Sequence, residues 1–256
     1  MRGGSGLGDG LYLRPIAEHL LRQGHEVTVC CSYPDIFLGL AVTVEPFNRE
    51  RITHTAHYTS GKNNPHTTQW QDVCASAKVT VQLHTEWPVR NLALVHNVLK
   101  SAQHRPVILV HGGREPMGRR DNFGIELLPT REAFAATIDA LPSSAYYRVQ
   151  VGSGVSKYDV PNDLNLLNKT SVSDLLDLAT ISSGVVGQCS FAIPMAEMFD
   201  KPLLIVWAAR GLRSATAFIK AITPRKILHK PSSHYVVDDW PVEKITEAAR
   251  AVFNFR

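Results

Sequence analysis

The chain has 256 residues, enough for one large α/β domain or two small ones. Its composition, 44% hydrophobic and 20% charged, is that of an ordinary globular protein. No apolar run approaches the ~20 residues that span a bilayer, and the N-terminus lacks the apolar segment of a signal peptide, so a cytoplasmic location is expected. A net charge of +4 mildly favours anionic ligands.

The cysteines and histidines do not form a metal-binding pattern. The four cysteines have no paired spacing, which argues against a disulfide framework and against a zinc site. His54 and His57 lack a third ligand and are interpreted as solvated loop residues. His84 and Glu86 lack the downstream P-C-x-x-C of a zinc deaminase. We therefore expect no metal.

The glycine-rich start, MRGGSGLGDG, predicts a sharply bent loop before a helix that contains Pro15 and ends near Gly24. Strands are predicted over residues 26–32 and 42–46. A loop of this kind usually follows a strand, and only Met1 precedes it here. Either a strand lies before Met1 or the domain lacks this strand.

Asp9 is the chemically informative residue of this loop. No frame fits the dinucleotide fingerprint G-x-G-x-x-G, and no G-K-[ST] is present for a P-loop. An acid among glycines at a helix start is either a helix-capping residue or a catalytic group. Both interpretations stay open on the loop alone.

The next segment is polar and then becomes regular. Residues 49–72 predict a long surface loop, with a short helix from Thr67. A strand is predicted over residues 79–83 and a helix over residues 89–102.

A second unit begins near Gln103. Residues 105–113 predict a strong apolar strand that ends in a histidine and two glycines. Arginines follow, and guanidinium groups bind phosphate oxygens in pairs, so the turn suits a diphosphate. A solvated basic loop is the alternative. The residues concerned are Gly112, Gly113, Arg114, Arg119 and Arg120.

The remaining patterns alternate between helix and strand. Helices are predicted over residues 130–141, from the Ser171–Asp174 capping box, over residues 188–199 and over residues 242–253. Strands are predicted over residues 146–151, 164–167, 185–186 and 203–207. The strand–turn–helix–strand unit of residues 185–207 aims free N–H groups at the carboxyl edge of a sheet, where phosphate binds well.

Three stretches together resemble glycosyltransferase family 9, the heptosyltransferases of lipopolysaccharide assembly. GGSGLGDGLYLRPIAEHLLRQGHEVTVCC resembles the opening of the family, and PVILVHGGREP resembles the first strand of its second domain. Residues 165–209 resemble, without a gap, its donor-site block, a leucine-rich helix followed by G-N-D-S-G-P-x-H and a G-K-P strand. The likeness extends over residues 2–32 and 105–210, about half of the chain.

The resemblance implies an α/β fold of the GT-B type, with two Rossmann-like domains whose parallel sheets face each other across a cleft. The predicted domains are residues 1–103, a short acceptor-side unit, and residues 104–238, a nucleotide-sugar-binding unit. Residues 239–256 form a C-terminal helix that is expected to pack back on the first domain.

The resemblance also assigns site residues. Asp9 lies where the family has its proposed catalytic base, and Gly6, Gly8 and Gly10 surround it on the acceptor side. The expected donor-binding residues of the second unit, beyond Gly112 to Arg120, are Gly187, Gln188, Cys189, Ser190 and Glu197. The family pattern is broken in three places, where Cys189 replaces Asp, Phe191 replaces Gly and Pro194 replaces His, which favours a different donor.

The implied activity is a metal-independent glycosyl transfer from a nucleotide-diphosphate sugar, the co-substrate, with no further cofactor. The acceptor hydroxyl belongs either to a bacterial glycan or to a hydroxylated base in phage DNA, for which the basic charge gives modest support. A GT-B-like sugar-nucleotide epimerase or hydrolase, and a non-catalytic nucleotide-sugar binder, are the alternative functions.

Overall fold

The computed structural model describes residues 1–46, 55–56, 66–112, 114–115, 127–213 and 223–254. Of the predicted site residues, Gly113, Arg119 and Arg120 lie outside this part of the chain, and so do His54 and His57. Of Arg114, only the backbone is described.

The N-terminal part contains a small parallel sheet. Helix α1 (Leu7–Arg22) leads into strand β1 (Val27–Cys30). The 3-10 helix Pro34–Phe37 connects β1 to β2 (Val42–Glu45), and the two strands pair in parallel. Arg2 forms parallel bridges to Cys30 and to Thr55. The first two residues therefore occupy the strand position that a loop of this kind normally follows.

Two more helices lie among the described residues of this part, α2 (Gln69–Ala77) and α3 (Leu92–Ala102). The strand predicted over residues 79–83 is wrong, because the segment forms no ladder with any strand of the described residues. Lys78 ends α2 in the left-handed conformation, and the Val81 carbonyl accepts a hydrogen bond from the Trp70 indole at 3.0 Å. The apolar residues of this segment are thus used to pack on α2.

The C-terminal part is built on a parallel sheet of six strands. Its strands are β3 (Val107–His111), β5 (Tyr147–Gln150), β7 (Leu164–Asn165), β8 (Gly184–Gln188), β9 (Leu203–Trp207) and β10 (Ser233–Val237). The spatial order is β10-β9-β8-β3-β5-β7, with every neighbouring pair parallel. A separate antiparallel pair joins β4 (Arg114–Glu115) to β6 (Val155–Ser156). The predicted α/β class with parallel sheets is confirmed.

The long apolar runs explain this sheet. Every residue of β3, β8 and β9 is buried, as expected for strands that are covered by helices on both faces. The sequence analysis did not predict β10, whose first three residues are not buried, because a half-exposed edge strand has no continuous apolar run.

The helices of this part cover both faces of the sheet. They are α4 (Arg131–Asp139), α5 (Val172–Ile181), α6 (Ala192–Met198), α7 (Ala209–Leu212), α8 (Pro224–Ile227) and α9 (Val242–Val252). Thr130 caps α4, and the predicted capping box of Ser171 with Asp174 opens α5. None of the helices among the described residues is long and apolar enough to cross a membrane.

The C-terminal helix does not pack where the sequence analysis expected it. Helix α9 lies on α4, β9 and β10, and Phe253, which follows it, is fully buried in the core beneath α4. The Tyr146 hydroxyl donates a hydrogen bond to the Phe253 carbonyl at 2.7 Å. The apolar face of α9 is therefore used within the C-terminal part rather than against the N-terminal part. The predicted domain boundaries remain a prediction.

Candidate functional site

The strand order creates a switch point between β3 and β8. From β3 the chain proceeds outward through β5 to β7, whereas from β8 it proceeds in the opposite direction through β9 to β10. Loops that leave two neighbouring parallel strands in opposite directions open a crevice at their carboxyl ends, where α/β proteins bind ligands. His111 ends β3 directly opposite Gly187 of β8, so both residues lie at this crevice.

His111 is a site residue that the sequence analysis did not include. Its Nδ1 lies 3.0 Å from Oγ of Ser190, and its ring packs on Phe191 with a centroid distance of 4.5 Å. Only 5% of the residue is exposed. A histidine at the carboxyl end of a buried strand, directly before a glycine pair, is the signal that could have identified it.

Ser190 organises the turn after β8. Its Oγ donates to the Gln188 carbonyl at 3.1 Å and accepts from the Ala192 N–H at 3.2 Å. The predicted helix over residues 188–199 therefore begins only at Ala192, since Gln188 still belongs to β8 and Ser190 closes the turn. The resulting helix has seven residues, which makes its dipole a weak source of positive charge.

The three residues that precede Ser190 support the same turn. A Cβ on Gly187 would lie 3.0 Å from Cβ of Ala192, so only glycine lets the helix approach the strand this closely. Gln188 is 3% exposed, and Cys189 is a half-buried free thiol. The structure thus brings Gly187, Gln188, Cys189 and Ser190 together at the carboxyl end of β8.

Of the predicted residues after β3, Gly112 packs against a helix and Arg114 belongs to the antiparallel pair of β4 and β6. Gly112 lies against the ring of Phe134 on α4, where a Cβ would overlap the aromatic carbons. Arg114 lies in β4, paired with Ser156 of β6. Gly112 therefore allows the close approach of helix to strand at the crevice.

Glu197 is engaged inside the protein. Its side chain is 0% exposed, and its Oε1 accepts hydrogen bonds from the N–H groups of His229, at 2.8 Å, and Lys230, at 3.3 Å. Burial raises the pKa of this carboxyl. Its oxygen atoms stabilise the segment after α8 and do not point toward the carboxyl ends of β3 and β8.

Asp9 lies in the first turn of helix α1. Its Oδ2 accepts a hydrogen bond from the Gly6 N–H at 3.0 Å, so the carboxylate caps the backbone at the start of α1, while Gly6 has no side chain with which to complete a capping box. The neighbouring residue Gly8 lies against the other half of the molecule, because a Cβ there would be 3.4 Å from Cα of Phe191 and 3.5 Å from Cγ of Pro194. Gly10 is buried against Ile36 and Cys31.

A separate cavity of about 820 Å³ lies along the C-terminal half of α1. Arg14, Glu18 and Arg22 line one wall, and Trp87 lines another. None of the predicted site residues lines it. Among the described residues, no group of three or more His, Cys, Asp or Glu side chains is arranged to hold a metal ion.

Solved structures resemble this chain throughout its length. The E. coli ADP-heptose LPS heptosyltransferase II superposes with a TM-score of 0.64 at 13% identity, covering 98% of this chain and 97% of that one. The family 9 glycosyltransferase from Veillonella parvula gives a TM-score of 0.62 at 10% identity, covering 98% and 95%. This chain has the fold of a heptosyltransferase.

The heptosyltransferase fold is shared more partially with a larger protein. TibC, an iron-containing dodecameric heptosyltransferase solved with ADP-D-β-D-heptose, gives a TM-score of 0.55 at 12% identity. The match covers 92% of this chain and 61% of TibC. No protein-family model and no curated protein sequence matches this chain, so the likeness is one of fold.

Proposed function

We propose that the protein is a metal-independent glycosyltransferase that moves a sugar from a nucleotide-diphosphate sugar to a hydroxyl acceptor. One observation carries this proposal. A Cβ on Gly8, the neighbour of Asp9, would lie 3.4 Å from Cα of Phe191, the neighbour of Ser190, although more than 180 residues separate the two in the chain. This approach supports a site in which the acid expected to act as base faces the strand end expected to hold the donor.

The reaction follows from these positions. The acceptor hydroxyl oxygen attacks the anomeric carbon, its proton passes to the Asp9 carboxylate, and the bond from the anomeric carbon to the nucleotide diphosphate breaks. The departing diphosphate gathers negative charge at the carboxyl ends of β3 and β8. There the hydroxyl of Ser190 donates a hydrogen bond, and the arginines that follow β3 in the sequence, namely Arg114, Arg119 and Arg120, are the residues expected to supply positive charge in place of a metal.

We infer a GT-B arrangement in which the donor lies on the six-stranded sheet and the acceptor on the side of α1. The fold neighbours are named for ADP-heptose, which supports an ADP-sugar as the first donor to test. The same neighbours support a bacterial glycan as acceptor. Duplex DNA with hydroxylated bases remains the contrasting acceptor, and binding to DNA that falls steeply with salt would identify it.

The first test replaces Asp9 by Asn. We expect Asp9→Asn to reduce turnover by roughly 100-fold or more, because a general base contributes about 10²–10⁴-fold, while the affinity for the nucleotide sugar stays within twofold. Asp139→Asn, a change of an exposed acid on α4, is the matched control and should behave as the wild type.

The alternatives predict other results. An epimerase or hydrolase consumes the nucleotide sugar with no acceptor present, and a non-catalytic binder gains thermal stability from it without turnover. Full transferase activity in Asp9→Asn would show that Asp9 is not the base. Inhibition by a chelator such as EDTA would contradict metal independence.

A further inference from the structure

We propose that His111 is a positioning residue of the donor site, and that it acts through Ser190 by directing the hydroxyl proton toward a phosphate oxygen of the donor. This inference rests on the proposed function and assigns a role to a residue to which the family resemblance gives none. A serine hydroxyl has a single proton to share among its neighbours.

Three polar groups surround Oγ of Ser190. The Ala192 N–H donates to it at 3.2 Å, the Gln188 carbonyl lies 3.1 Å away as an acceptor, and His111 Nδ1 lies 3.0 Å away. A hydroxyl has one proton and two lone pairs. The arrangement is satisfied when the single proton points at the Gln188 carbonyl and His111 carries its proton on Nδ1 and donates.

This arrangement leaves the hydroxyl proton as the movable element. With both lone pairs of Oγ occupied by the donors Ala192 N–H and His111 Nδ1–H, the proton can turn only toward an acceptor. In the free protein that acceptor is the Gln188 carbonyl, and a phosphate oxygen in the crevice would be a stronger one because it is charged. His111 thereby keeps Ser190 a donor toward the ligand.

The imidazole ring is held in a slot made by three strand ends. Phe191, after β8, packs on the ring, and Gly152, after β5, lies at its far edge. A Cβ on Gly152 would be 2.5 Å from Cδ2 and 2.9 Å from Nε2 of His111, so the ring fits only beside glycine. Gly152 also has a φ of +116°, which strains any other residue. The slot fixes which nitrogen faces Ser190.

The test measures binding of ADP and of adenosine by calorimetry to the wild type and to four variants. We expect Ser190→Ala and His111→Ala each to weaken ADP binding roughly tenfold, because the first removes the hydrogen bond to the charged phosphate and the second removes the donor that keeps the Ser190 proton directed at it. The double variant should be no weaker than Ser190→Ala, since His111 acts through Ser190. His111→Asn, whose amide N–H can replace Nδ1–H, should restore affinity to within about twofold. Adenosine, which lacks phosphate, should bind all of them equally.

Thr137→Ala is the matched control, since this buried hydroxyl donates to the Ala133 carbonyl at 2.9 Å within α4. It should lower the melting temperature and leave ADP affinity unchanged. Unchanged ADP affinity in His111→Ala, or additive losses in the double variant, would overturn the role of His111 while the proposed function stands. A wild-type protein that binds neither ADP nor other nucleoside diphosphates would overturn both.

Discussion

At the scale of single residues, burial decides the charge of His229. Its side chain is 7% exposed, and its Nε2 lies 3.3 Å from the Tyr12 hydroxyl. Burial, together with the nearby charge of Lys230, lowers its pKa from 6.5 to about 3. The buried carboxyl beside it, Glu197, has a raised pKa, so the two side chains favour their uncharged forms.

His229 should make the protein less stable in acid. Between about pH 6.5 and pH 3 the unfolded chain takes up a proton on this residue and the folded chain does not, so the stability is lost as the pH falls through this window. When the pH is lowered from 7 to 4.5, we expect the wild type to lose roughly 2 kcal/mol more of its free energy of unfolding than His229→Asn loses. Urea titrations at both pH values measure it.

His96→Asn, which replaces an exposed histidine, is the control and should leave the pH dependence of the free energy of unfolding unchanged. Parallel pH profiles for the wild type and His229→Asn would show that the imidazole titrates normally in the folded protein.

At the scale of elements, the packing of α4 on β3 depends on Gly112. The Phe134 ring, which is fully buried, occupies the space in which a Cβ of residue 112 would stand. The helix can therefore approach the end of β3 closely. This packing requires glycine at position 112 independently of any phosphate.

Gly112→Ala should destabilise the protein by about 2 kcal/mol, as overpacking of a dense core does. Phe134→Leu makes room for the new methyl group, so the double variant should be less destabilised than the sum of the two single changes. Urea midpoints of the four proteins give the coupling energy. Additive effects would mean that the ring and the methyl group do not meet.

At the scale of the whole molecule, Asp177 joins the two parts of the chain. It is 0% exposed on α5, and its carboxylate accepts hydrogen bonds from the Trp87 indole at 2.6 Å, from the Arg90 N–H at 3.0 Å and from the Asn91 N–H at 2.6 Å. The start of α3 is thereby fixed on a helix of the C-terminal part. A second link joins α2 to α8 through Asp72 and Lys226 at 2.6 Å.

Asp177→Ala should lower the free energy of unfolding by about 3 kcal/mol or more, because buried N–H donors lose their acceptor. It should also expose residues 87–91 to limited proteolysis before the rest of the chain unfolds. Asp139→Ala, the exposed control on α4, should change the stability by less than about 0.5 kcal/mol. Equal proteolysis of both variants would show that Asp177 is not what holds this segment.

Local patterns predicted the parts whose causes are local. The buried run of β9 was predicted at residues 203–207 and is found at Leu203–Trp207, and the Ser171 capping box opens α5 as expected. Strand 79–83 was predicted wrongly, because its apolar residues are suited to a sheet but no strand in the described part of the chain pairs with it. Asp9 was left open between capping and catalysis; its hydrogen bond from the Gly6 N–H shows the local contact, and the catalytic role stays a prediction.

The sequence by itself determined the α/β class, the positions of the long buried strands and the glycine turns at their carboxyl ends, because burial on both faces and tight turns each need particular residues within a few positions. Only the tertiary structure decided which strand ends become neighbours. That choice brings His111 to Ser190 across the switch point and Gly8 to Phe191 across the crevice. It depends on how sheets and helices pack over long sequence separations, which no local pattern records.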